Sequence, residues 1–138
     1  MLVRETTSTW TTSTNATWRS MNGSTANRLQ VVAGEVGDGM QVYSALATIG
    51  GGTNNDAGSV GIAIGATNTN DADLVGRFLD SAAVHQGNMW ARLQTTLPLG
   101  FQFYQATEYP SSAGTFTFGG SDTTAKDRLA GIGAEIEN

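Results

Sequence analysis

Apolar side chains recur at every second position in short runs along this chain, and each run stops at a turn rich in glycine or containing proline. That period belongs to a β-strand with one buried face, because successive strand side chains point to opposite faces while a helix needs spacings of three and four. The clearest run is Met89 to Leu97, with Met89, Ala91, Leu93 and Leu97 on one face and Trp90, Arg92 and Gln94 on the other. Pro98-Leu-Gly100 then turns the chain into a second alternating run, Phe101 to Glu108, and the two read as a strand pair.

The same reading extends in both directions. Thr6 to Ser20 alternates with Trp10, Ala16 and Trp18 on one parity. Arg28 to Ala33 and Met40 to Ile49 flank the turn Gly34 to Gly39 and read as two strands around a hairpin. Val60, Ile62 and Ile64 form one face of a strand whose other face, Gly61, Ala63 and Gly65, is small enough for something to approach closely. Thr115 to Phe118 and Leu129 to Ile136 close the chain. Asp71 to Val84 is ambiguous: Leu74 and Phe78 with first-turn acids Asp71 and Asp73 fit a short helix over about 71–80 as well as a bent strand. About eight short strands separated by turns predict an all-β, antiparallel two-sheet sandwich of jelly-roll type.

Composition narrows the functions available. The 138 residues suit one domain, and without cysteine the fold rests on packing and hydrogen bonds alone. Charged residues are 14% of the chain, about half the usual share, with a net charge of -5 and a single lysine. Nucleic-acid binding needs a basic patch, whereas the seven Lys and Arg residues are scattered from Arg4 to Arg128. No run of apolar residues reaches the length of a membrane span, and Met1 to Thr7 lacks the apolar core of a secretory signal, so the chain reads as soluble and unprocessed.

Material for catalysis is sparse. His85 is the lone histidine, which leaves a His-based triad or a zinc site without its parts. Asp71 with Asp73, and Glu135 with Glu137, share a strand face by the two-residue period and are the carboxylate pairs available to a small hydrolase; their plainer roles are to cap or solvate a loop and the chain end. Asn54-Asn-Asp56 and Asn68 to Asp73 offer the hard oxygens that calcium prefers but match no complete calcium loop. The glycine clusters Gly34 to Gly39 and Gly50 to Gly52 lack the lysine of a phosphate loop and read as turns. The sequence thus predicts no enzyme, no cofactor and no metal. Its aromatic surplus, Trp10, Trp18, Trp90, Phe101, Phe103, Tyr104 and Tyr109, fits core or subunit-interface positions better than a sugar-binding patch.

Taken in order, the Thr-rich stretch around Trp18, Arg28-Leu-Gln-Val-Val-Ala-Gly34, Met89 to Leu93, Leu97-Pro-Leu-Gly100, Phe101-Gln-Phe-Tyr-Gln-Ala-Thr-Glu-Tyr109, Thr115-Phe-Thr-Phe-Gly119 and Leu129-Ala-Gly-Ile-Gly-Ala-Glu135 form a recognisable series. Over residues 17–136 it resembles the tumour-necrosis-factor-like jelly rolls of tailed-bacteriophage virion proteins. The resemblance implies a homotrimer on the virion, either a capsid decoration (cement) protein whose partner is the major capsid protein, or a fibre-tip or spike domain that binds host surface glycans. A chain that begins at Met1 without a stalk or coiled coil has the format expected of decoration.

These expectations divide the chain into an amino-terminal arm, residues 1–9, that gains order on a neighbour, and a jelly-roll domain, residues 10–138. They place subunit or capsid contacts at Leu2, Val3, Trp10, Trp18, Ile62, Ile64, Phe101, Phe103 and Tyr104, with the Val60 to Gly65 and Phe101 to Glu108 strands building the protomer interface.

Overall fold

The alternating runs fold into β-strands, which are distributed over two antiparallel sheets. A computed structural model describes residues 1–12, 16–35, 37, 39–51, 57–79, 86–110, 116–120 and 130–137. In order, the strands are β1 (Leu2–Arg4), β2 (Thr9–Thr12), β3 (Arg19–Ser20), β4 (Arg28–Ala33), β5 (Gly39–Gly51), β6 (Ala57–Ile64), β7 (Gly76–Leu79), β8 (Gly87–Thr96), β9 (Gly100–Pro110), β10 (Phe116–Gly119) and β11 (Gly131–Glu137). A 3-10 turn, Met21–Gly23, follows β3.

The first sheet is built on the 13-residue β5. One edge of β5 carries β8 along Gly39 to Thr48. The other carries two strands end to end, β11 beside Gly39 to Ala45 and β10 beside Ala47 to Gly51. Outside them lie β1 on β11 and β2 on β10. The second sheet runs β4 and β3 on β9, then β6, then β7. From β4 onward the chain passes from sheet to sheet, β4 in the second, β5 in the first, β6 in the second. Leaving out β2, β3 and β10, the sheets read β1-β11-β5-β8 and β4-β9-β6-β7, the wrapped connectivity of a jelly roll.

That wrapping corrects two sequence expectations. Residues 28–49 do not form a hairpin, since β4 pairs with β9 and β5 with β8 and β11. Met89 to Leu97 and Phe101 to Glu108 do not pair either, because the Pro98 turn carries the chain across the sandwich. Period two marks a half-buried strand but says nothing of its partner. The opening run is not one strand: β2 lies in the first sheet and β3 in the second, so Trp10 and Trp18 lose the common face their parity implied. In the ambiguous segment, Gly76–Leu79 is extended and pairs with Ala57 to Val60, so the strand alternative describes it and not the helix. Its continuation, residues 80–84, lies outside the described residues.

The core lies where the inner faces meet. Val42 and Leu46 of β5, Met89, Ala91 and Leu93 of β8, and Ile132 of β11 face Leu29, Val60, Ile62, Tyr104 and Ala106 of the second sheet. Phe116 and Phe118 of β10 stack at 4.8 Å, and a Cβ at Gly58 would run into both rings, so glycine there lets the sheets close on the phenyl groups.

The amino terminus is part of this sandwich. The Met1 ammonium donates to the Ala134 carbonyl at 2.8 Å, the Ala134 amide donates to the Met1 carbonyl at 2.9 Å, and Val3 packs against the core. The first residues of the expected arm thus gain order within the chain itself, where β11 supplies an edge and β1 pairs along it. Removing residues 1–4 is expected to cost about 1–2 kcal/mol through the lost Val3 packing. It should also abolish exchange protection of the Ala134 amide, read by urea unfolding and hydrogen exchange; an Ala134 amide still protected would contradict the pairing.

Candidate functional site

Two features stand apart from an ordinary β core: a carboxylate buried between the sheets and an apolar face left open to solvent. The carboxylate is Glu108, on the inward parity of β9 with Tyr104 and Ala106 and fully buried. It accepts the Trp10 Nε1–H at 2.8 Å from the opposite sheet, the Arg19 Nε–H at 2.8 Å and a second hydrogen from Arg19 Nη2, and the Asn22 backbone N–H at 3.2 Å. Asn22 adopts a left-handed backbone, φ 55°, which turns the chain so that its amide faces the carboxylate.

A second acid continues the network. Glu5 takes the Asn27 Nδ2–H at 2.6 Å and the Thr7 N–H at 2.8 Å, and Asn27 also donates to the Met21 carbonyl. Gln105, fully buried, donates to the carbonyls of Ser24 and Asn27 and accepts from Arg28 Nε. Asn22 Nδ2 donates to Thr7 Oγ1, which ties the two halves together. The result is a polar seam that fastens the β1 and β2 edge of one sheet to the β3 and β4 edge of the other.

The two acids titrate in opposite senses. Burial raises the Glu108 pKa, and the Arg19 charge with the hydrogen bonds from Asn22 and Trp10 recovers only part of that shift. Burial also works on Glu5, but there the bonds from Asn27 and Thr7 outweigh it and hold the carboxyl below its usual value. Neither acid was singled out from sequence, since a Glu in an alternating strand looks like any solvated residue. The one available signal was parity: Glu108 shares the face of Tyr104 and Ala106.

The carboxylates that were singled out support the backbone. Asp71 Oδ2 accepts the Ile64 N–H at 2.8 Å, and Asp73 Oδ2 accepts the Gln94 N–H at 2.6 Å. Asn70 Oδ1 accepts the amides of Ile62 and Ala72, so the oxygens considered for calcium in that loop already face N–H groups. Glu135 and Glu137 stand exposed at the end of β11, where Glu137 takes a long bond from Gln94 Nε2. His85 and Asn54 to Asp56 lie outside the described residues.

The contact residues expected from sequence fall into three groups. Trp10, Ile62 and Tyr104 are buried in the protomer's own core and have no surface to offer a partner. Val3, Trp18 and Phe103 are half-buried: Trp18 packs on Tyr109 at 5.3 Å, and Arg28 lies 3.9 Å above the Phe103 ring. Leu2, Ile64 and Phe101 are exposed. The small outer face of β6, the strand expected to build a protomer interface, is covered from within the chain: a Cβ at Gly61 would strike the Trp18 ring and the Asn70 side chain.

The outer face of the first sheet has no such cover among the described residues. Strand register places Arg4, Gly131, Ala45 and Trp90 in one row across β1, β11, β5 and β8, and Leu2, Gly133, Tyr43 and Arg92 in the next. Trp90 is 58% exposed and Leu2 52%. Leu74 and Val75, exposed, flank Trp90 where Leu74 bridges to Arg92. The Tyr43 ring lies over Gly133, and the residues beside it leave a hollow of about 220 Å³ lined by Leu2, Arg4, Tyr43, Ala45, Ala130 and Gly131. A second apolar cluster sits on the other sheet, where Val32 and Phe101 face each other across β4 and β9 with Leu99 in the adjoining turn, all more than half exposed.

Charge at the seam makes a testable pH signature. With its native pKa raised, Glu108 binds more protons folded than unfolded, so its contribution to stability falls as pH rises from the ordinary Glu range to the raised value. Glu5, lowered, contributes stability above the ordinary Glu range that is lost as pH falls. Arg19→Met removes the cation from Glu108 and should cost about 2–3 kcal/mol at pH 7, discounted because Arg19 reaches solvent, and much less near pH 4. Urea titrations at the two pH values measure this; an equal loss at both would show that Glu108 is not the group affected. Compared with protein-family models and with curated proteins, the chain matches none.

Proposed function

We propose that this protein is a trimeric jelly-roll decoration protein of a virus particle, which binds the capsid surface and stabilises it through its surfaces and not through catalysis. The observation that carries the reading is the uncovered apolar face of the first sheet, where Leu2, Tyr43 and Trp90 stand in solvent beside Leu74 and Val75. Exposed apolar patches on soluble domains mark association sites, and sheet faces of this kind are commonly covered by a second subunit. The resemblance of residues 17–136 to phage virion jelly rolls supplies the setting.

A decoration protein needs two surfaces, one for its own copies and one for the capsid. The two separate apolar clusters meet that need: the first-sheet face suits subunit contact, and Val32, Leu99 and Phe101 suit the major capsid protein. Because β1 is paired with β11, this reading assigns the capsid contact to Val32, Leu99 and Phe101 and not to the amino terminus. The alternative reading, a fibre or spike tip for host glycans, draws on the same exposed rings, since aromatic side chains present a flat apolar surface to a sugar; the hollow beside Trp90 favours it less, because Arg4 is the one charged residue lining it.

The purified protein is expected to sediment with particles stripped of it and to raise the temperature at which they release their genome, while Phe101→Ser weakens that binding about tenfold or more. Failure to bind particles, together with binding to host cells that free glycans compete away, would overturn decoration in favour of the receptor-binding reading.

A further inference from the structure

We propose that Asn22 is a modification site: when the 3-10 turn opens, the Gly23 nitrogen displaces the Asn22 side-chain amide, and the acid that results prevents the polar seam from closing again. Nothing in this depends on how the protein assembles. Asn22-Gly23 is the one Asn-Gly step in the sequence. Both residues are left-handed, at φ 55° and 62°, a backbone that glycine adopts freely and asparagine tolerates. The turn that brings the Asn22 amide to Glu108 therefore selects a pair of residues that can react with each other. Gly23 is exposed, and the space where a side chain would stand is open, with no atom within 4 Å of a Cβ there.

Water is the only other reactant. The Gly23 nitrogen bonds to Asn22 Cγ and gives up its proton, the Cγ–Nδ2 bond breaks, and ammonia leaves behind a five-membered imide. Water then opens one of the two imide carbonyls. The product is an aspartate or, where the original peptide bond is the one broken, an isoaspartate whose backbone is longer by one carbon. The closed turn withholds this chemistry. At ψ 24° the Gly23 nitrogen points away from the Asn22 side chain, whose Nδ2 is held by Thr7 Oγ1 at 3.0 Å. Swinging that nitrogen round breaks the bond from the Ser24 N–H to the Met21 carbonyl, while Met21 is anchored in the core.

The product cannot take the amide's place in the seam. Burial works to raise the Glu5 pKa, and the hydrogen bonds from Asn27, Thr7 and Asn22 outweigh it. An acid at position 22 turns one of those donors into a second anion beside Glu5. The Thr7 hydroxyl has a single proton, which Glu5 already receives, so it has none to give the new carboxylate. An isoaspartate also shifts Ser24 out of register with the Met21 carbonyl. One opening that ends in reaction thus leaves the β1 and β2 edge unfastened from the turn.

Peptide mapping of the purified protein kept in mildly alkaline buffer tests the site and its guard. Aspartate and isoaspartate at Asn22 should accumulate about tenfold or more slowly in the native protein than in urea, because only the opened turn reacts. Thr7→Val keeps the bulk and removes the acceptor, and should speed the native reaction several-fold while leaving the rate in urea unchanged. No product in urea, equal rates native and unfolded, or a Thr7→Val rate equal to the wild type overturns the proposal. The effect on the seam is read by comparing Asn22→Asp with Asn22→Gly, since glycine accepts the same left-handed backbone and adds no charge. Asn22→Asp should unfold at the lower urea concentration at pH 7, and the gap should shrink near pH 4, where an acid beside Glu5 takes up a proton. Where Asn22→Asp does not fold, aged wild type separated by its extra charge supplies the comparison. Equal midpoints at pH 7 show that the seam closes around the product, and overturn the proposal.

Discussion

A carboxylate buried between two sheets is the constraint on which the rest of this sandwich is arranged. An ionised group removed from water without partners is held at a cost of several kcal/mol, so the chain around Glu108 must present donors to it. Those donors come from Trp10 on the opposite sheet, Arg19 on β3 and the backbone of Asn22 in the 3-10 turn. Each sits on a separate short element with few backbone bonds of its own, β2, β3 and the turn. Glu108 thereby fixes pieces that packing alone leaves underdetermined, and Glu5 does the same for Asn27 and Thr7. Specificity of this kind need not add net stability, and the raised pKa of Glu108 shows that burial outweighs its compensation.

With one long edge sewn by polar bonds, the opposite edge closes differently. There β6, β7 and β8 approach through small residues: a Cβ at Gly76 would enter the Trp90 backbone, and Leu74 exchanges backbone hydrogen bonds with Arg92. Leu74 and Val75 remain outside as the chain passes this point, which is why apolar surface gathers around Trp90. The exposure of this apolar cluster thus follows from how the sandwich shuts.

The strands themselves were legible in the sequence because a half-buried strand writes its burial at period two, and Met89 to Leu97 displays this residue by residue as buried and exposed in turn. Partners were not legible. The turns at Gly34 to Gly39 and Pro98 to Gly100 have the composition of hairpin turns, and nothing local distinguishes a hairpin from a crossing between sheets; that depends on which distant edge is free. The seam was hidden for a related reason. Glu108 and Gln105 are polar types that usually face water, and their burial follows from three-dimensional neighbours separated by 77 to 98 residues in the chain, as in Trp10 with Glu108 and Arg28 with Gln105. Of the exposed residues, Leu2, Ile64 and Phe101 were named from the sequence, while register places Tyr43 beside Gly133 of β11 and Trp90 beside Ala45 of β5.

The two outer faces of the sandwich show what that register does. On the second sheet, Gly61 and Ala63 also leave a low floor, but the chain fills it with Trp18 and Asn70, and Tyr109 buttresses the indole. On the first sheet, Gly131, Gly133 and Ala45 make a floor of the same kind that Tyr43 covers in part. A Trp stands beside each floor, turned inward on one sheet and into solvent on the other. On the covered face the Trp18 indole lies over Gly61, with the Trp and the glycine in the same chain. On the uncovered face Trp90 stands exposed on the strand next to Ala45, and the part of the floor that Tyr43 leaves open is covered by no side chain among the described residues.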